Sequence, residues 1–110
     1  MPFPALPAVI ISGLLVSTPV AGVVGDDYAT LIYDFEVAMI CGLVDADVAG
    51  AYRQTRGDLE RNSALSTEEL RRVRIQAMAA ADREYDNRGL GGHRPWCKNE
   101  GRAGVSRILR

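Results

Sequence analysis

Histidine and tryptophan occur once each and cysteine twice in these 110 residues, and the first 25 carry no charged side chain. A single histidine, His93, leaves a nucleophilic triad only one candidate base of the usual kind. The two cysteines, Cys41 and Cys97, lie far apart, so they form neither a CxxC redox motif nor a zinc knuckle. A phosphate cradle is missing too, because Gly89, Gly91 and Gly92 follow a helical pattern rather than open one. No run alternates with strand periodicity, and there is no internal repeat or low-complexity tract. What is present, 47% hydrophobic and 25% charged residues, is the composition of one globular domain rather than of a disordered chain.

Residues 1–25 read as a secretory signal peptide: an apolar centre near Ala8–Val16, Pro19 as a breaker, then small residues suited to cleavage. Val20-Ala21-Gly22 and Val23-Val24-Gly25 both fit a cleavage site loosely, and the leader has no Lys or Arg near its start. The rivals are a retained anchor and a cytosolic N-terminal segment. An anchor needs roughly 20 apolar residues. Pro2, Pro4, Pro7 and Pro19 leave only about 11 clear ones, which argues against a stable span after processing. Export makes a Cys41–Cys97 disulfide the default over a reactive thiol, in a mature chain small enough for one core to be marginal.

Residues 26–110 read as a single all-α domain, a small three-helix bundle with its C-terminal tail tied by the disulfide. The first helix is expected over about 27–42. Tyr28, Leu31, Ile32, Phe35, Met39 and Leu43 recur at helical spacing, Val37, Ile40, Cys41 and Val44 widen that face, and Asp26 and Asp27 suit its start. Gly42 marks an end or a kink. Asp45 then caps a second helix over 46–62, weakened by Gly50 and Gly57; one continuous helix over 26–62 is the alternative. Ser66-Thr67-Glu68-Glu69 is a capping box that opens a third helix over 67–87. Its stripe is Leu70, Val73, Ala77, Ala81 and Tyr85, with Met78 beside it. Alanines at 77 and 79–81 suit close approach of another helix. Residues 88–97 are expected as a loop, with Gly89 and Leu90 as a Schellman end and Trp96 as a core plug beside the bridging cysteine. The last residues, 99–109, form a short amphipathic helix or fray.

Charge is unevenly placed. Residues 26–50 hold Asp26, Asp27, Asp34, Glu36, Asp45 and Asp47 without one Lys or Arg, whereas 89–110 hold Arg94, Lys98, Arg102, Arg107 and Arg110 against Glu100 alone. The plain reading lays the basic tail against the acidic start. A sharper one assembles a hard-cation site of calcium or lanthanide type from Asp34, Asp45, Asp47, Asp58 and Glu60, although nothing matches an EF-hand loop. Nucleic acid is a poor partner for five cationic residues in a chain of pI 5.8.

No catalytic set is assigned. His93 sits in a Gly-rich turn, Asp34 and Glu36 point apart on a helix, and Asp82 and Asp86 share a face whose charges are expected to meet Arg83, Arg88 or solvent. Residues free to meet a protein partner are Arg71, Arg72, Arg74, His93, Arg94 and Trp96.

The segment from Ala81 to Gly101 resembles a stretch in small exported helical proteins of alphaproteobacteria. The likeness rests on Asp82-Arg83-Glu84, Arg88-Gly89-Leu90-Gly91-Gly92 and Trp96-Cys97, with Cys41-Gly42-Leu43-Val44 upstream. It implies a secreted, single-disulfide helical domain and supplies no reaction. The expectation is therefore a periplasmic or secreted, non-enzymatic binding or adaptor protein that acts through a protein partner and needs no cofactor. The alternatives are a hard-cation-binding protein and, third, a small hydrolase.

Overall fold

A computed structural model describes residues 26–88 and 92–110. The leader and its cleavage zone, and the Gly89–Leu90 helix end, lie outside the described residues. Helix α1 spans 26–40, α2 Ala46–Asn62 and α3 Thr67–Asn87. The C-terminal part is one further helical rod: α4 (His93–Trp96), a π-helical turn (Cys97–Gly101) and α5 (Arg102–Leu109). No strand occurs among the described residues.

Local chemistry explains the boundaries. α1 ends in a Schellman motif: Gly42 takes φ +69°, the Leu43 N–H donates to the Ala38 carbonyl at 2.8 Å and the Gly42 N–H to that of Met39 at 3.2 Å. Glycine accepts that left-handed backbone without a Cβ clash. The sequence marks Gly42 only as an end or kink, and α1 stops two residues earlier than expected. Asp45 caps α2, accepting from the Val48 N–H at 2.9 Å. Ser66 and Glu69 close the predicted capping box with reciprocal bonds of 3.1 and 2.8 Å. The expected α2 and α3 ranges match the structure.

The expected 88–97 loop needs correcting. Helix resumes at His93, and Pro95 sits in its first turn, where backbone N–H groups have no intrahelical acceptor to lose. From there the chain stays helical to Leu109, so the tail is a rod rather than a strap. The π-helical turn, one residue wider than an α-turn, carries Cys97 and Gly101.

α1 is covered almost all round. Near its start Tyr28 and Ile32 pack with Leu70 and Ala77 of α3, flanked by Tyr52 and Leu59 of α2. On another side Leu31 meets Val48 of α2 and Ile108 of α5. Phe35 stacks on Tyr52 with ring centroids 3.8 Å apart. Toward its end Val37 packs with Ala81 of α3 and Trp96 of α4, so the predicted plug is in place. Ala77 and Ala81 are buried, as close helix approach requires.

The C-terminal rod is fastened to α1 by the Cys41–Cys97 disulfide, whose Cα atoms are 5.5 Å apart. Beside it the rod comes close because two of its residues lack side chains. A Cβ at Gly101 would lie 3.3 Å from Cys41 Sγ, and one at Gly104 would lie 3.1 Å from Asp34 Oδ1. The bridge closes a separation of 56 residues, and on the chain-entropy account that constraint is worth about 4 kcal/mol. Replacing both cysteines by serine is expected to lower the urea unfolding free energy by about that amount, with the helical circular-dichroism signal retained below the transition.

Candidate functional site

Three polar groupings sit around α1, and each can be built from local pattern. The first is Asp34, 2% exposed. Arg107 of α5 reaches it with two parallel bonds, Nε to Oδ2 and Nη2 to Oδ1, both 2.8 Å. A buried carboxylate requires such a partner. Asp34 in turn, ahead of burial, which works the other way, holds the Arg107 guanidinium above its ordinary pKa. This pair realises the basic tail lying on the acidic start.

The second joins the start of α1 to α2 and α3. The Tyr28 hydroxyl donates to Glu60 Oε2 at 2.5 Å, Arg56 Nε donates to the same oxygen at 2.8 Å, and Arg74 Nη1 donates to the Tyr28 hydroxyl at 2.8 Å. Burial works against the charged form of Glu60. The bonds from Tyr28 and Arg56 and the two guanidinium charges outweigh it, so the Glu60 carboxyl lies below the usual 4.5. Glu60 is thereby a structural anion.

The third lies on the outer face of α1 and α3. Glu36 and Asp82 meet as carboxyl partners. Burial, then the hydrogen bond and the like charge of Asp82, push Glu36 above 4.5. Asp82 is exposed to solvent, one of the expected outcomes, with Glu36 beside it, while Arg88 pairs with Glu84.

The acidic pair sits within an apolar stripe. Ile75, Met78, Asp82 and Tyr85 follow one another along α3 at steps of three and four residues, the spacing of a helix-pairing seam. Ile75 is 53% exposed, Met78 42% and Tyr85 38%. Met39, one turn beyond Glu36 on α1, is 53% exposed. Tyr85 continues the surface onto α4, its ring 5.6 Å from that of His93. Met39 and Tyr85, assigned to core stripes by periodicity, thus face outward. α3 carries two apolar stripes, and the inner one, Leu70–Val73–Ala77–Ala81, takes the core.

The structure does not bring the five cation-site candidates together. Asp34 is bound to Arg107, Asp45 caps α2, Asp47 lies exposed in the first turn of α2, Asp58 pairs with Arg61, and Glu60 holds Arg56 and Arg74. Among the described residues no three His, Cys, Asp or Glu side chains gather in a metal-holding group. The partner candidates divide. Arg71, Arg72, His93 and Arg94 are exposed, and Arg71 pairs with Glu68. Arg74 is half-buried in the Tyr28 cluster. Trp96 is 5% exposed, with Arg88 over its ring, so it is core and not contact surface. Ile75 is the exposed residue that sequence reasoning missed; its three-and-four spacing with Met78, Asp82 and Tyr85 was the available signal.

No family model matches the chain, and no curated protein or solved structure matches it. Among the described residues no helix is long and apolar enough to cross a membrane.

The acid pair makes a signed prediction. A carboxyl raised in the folded state contributes stability below its unfolded value of about 4.3 and loses it as pH rises through the folded value. Glu36→Gln is therefore expected to raise the urea midpoint at pH 7, with the gain vanishing near pH 4. An equal gain at both pH values would show that the Glu36 carboxyl is not raised in the folded chain.

Proposed function

We propose that the chain is an exported, non-enzymatic binding module that engages a protein partner through the outer stripe of α3. The observation that carries this reading is the exposure of Ile75, Met78 and Tyr85 on one line of the helix, with Met39 close to the acid pair they border. Single exposed apolar residues are ordinary, whereas a contiguous set marks a contact surface. The steps of three and four residues suit an amphipathic helix as the opposing element. Methionine adapts its shape to such a surface. The exposed Arg71 and His93 lie toward its two ends and supply a polar rim.

Export is supported by the disulfide, which persists in oxidising compartments, by the leader-like pattern of residues 1–25, and by the resemblance of the Ala81–Gly101 segment to exported helical proteins. Periplasmic or secreted placement follows for the partner as well. Two of the cation-site candidates, Asp34 and Glu60, and the partner candidate Arg74 hold helices together.

The test is site-specific photo-crosslinking in cells that export the protein. A photoreactive residue at 75, 78 or 85 is expected to give one discrete protein adduct, absent from the exposed control positions 54 on α2 and 106 on α5. Ile75→Gln with Met78→Gln is expected to remove the adduct while changing stability by less than about 1 kcal/mol, because both side chains already face water. Adducts of equal yield from all positions, or none from the stripe, would contradict the proposal.

A further inference from the structure

An open cleft of about 410 Å³ lies between the C-terminal half of α2 and the first turns of α3. We propose that it binds the phosphate group of a small phosphomonoester. The site is separate from the α3 outer stripe and does not depend on that reading. Three guanidinium groups line it, those of Arg56, Arg61 and Arg74, together with Thr67. The carboxylates facing them are Glu60, inside the cleft, and Asp58, which pairs with Arg61. The three cations therefore exceed the two anions by one.

Each guanidinium has five N–H donors, and few are used. Arg56 donates from Nε to Glu60 and from Nη1 to Tyr52. Arg74 donates from Nη1 to Tyr28, with Glu60 3.5 Å away. Arg61 donates to Asp58. The remaining donors have water or a ligand to meet. Glu60 fixes Arg56 and Arg74 in place before any ligand arrives, which is the preorganisation that oxyanion binding requires.

Gly57 supplies the floor. Glycine is a poor residue inside a helix, and here its φ is not one that demands it. What it provides is space: a Cβ at this position would stand 3.2 Å from Arg61 Nη1. Its absence lets the Arg61 guanidinium lie against the α2 backbone. A carboxylate engages one planar fork, whereas the three terminal oxygens of a phosphomonoester can use donors from several. The cleft volume leaves room for an organic group beyond the phosphate.

The experiment is a nitrogen-15 NMR titration of the disulfide-bonded chain with glycerol phosphate, inorganic phosphate, acetate and, at matched ionic strength, chloride. Glycerol phosphate is expected to give saturable shifts confined to residues 56–61 and 67–74, and to bind more tightly than the other anions. Arg61→Gln, on an exposed side chain, is expected to weaken it about tenfold, the loss of one charge-assisted contact. Gly57→Ala is expected to weaken it while leaving the melting temperature unchanged or higher. A response no different from chloride, or one unaltered by Arg61→Gln, would overturn the site. Binding of inorganic phosphate or acetate as tight as that of glycerol phosphate would overturn the phosphomonoester assignment.

Discussion

The structure depends on covering α1. Tyr28, Leu31, Ile32, Val37 and Ala38 point in different directions around its axis, and all are buried. A helix apolar on so many sides is stable only inside other elements. The α2–α3 hairpin supplies two walls. The third is the C-terminal rod, which approaches closely because Gly101 and Gly104 present bare backbone to Cys41 and Asp34. Two fastenings hold it: the Cys41–Cys97 bond and the Asp34–Arg107 pair. They act differently. The disulfide restricts the unfolded chain, while Arg107 makes it tolerable to bury a carboxylate in the wall contact itself.

This arrangement determines which surfaces remain. α3 gives its small residues, Ala77 and Ala81, to the core and keeps larger ones, Ile75, Met78 and Tyr85, outside. With Leu70 and Val73 also turned inward, α3 has used one apolar stripe for the fold and retained a second for contact. The Glu36–Asp82 pair belongs to the same face. At the other end of the bundle the polar side chains are tied inward, with Tyr28, Glu60, Arg56 and Arg74 forming one network.

Much of the fold was legible because it is written locally. Asp45 and the Ser66–Glu69 box act over three residues, so the starts of α2 and α3 could be read directly. Two cysteines permit one intramolecular pairing, and Trp96 beside one of them pointed to a core plug. The errors came where the deciding interaction is distant. The loop expected over 88–97 includes Pro95, yet helix resumes at His93. A proline in the first turn of a helix loses no backbone bond, and only the contact with α1 shows that Gly101 and Gly104 make room for the disulfide and Asp34. Asp34 and Arg107 are 73 residues apart. The charge gradient forecast attraction between the two ends but could not select the pair. Periodicity likewise finds apolar stripes on α1 and α3 without telling which faces in, so Met39 and Tyr85 were placed in the core. The candidate site was least legible for the same reason: exposure is a property of the assembled walls.

The claim that the C-terminal rod is an integral wall of α1 is tested most directly by native-state hydrogen exchange on the disulfide-bonded chain. Amides of 31–38 and of 101–108 are predicted to exchange through one common opening, with the same protection free energy and the same dependence on denaturant. Rapid exchange of 101–108 while 31–38 stays protected would show α1 to be buried without the rod, and would contradict the account.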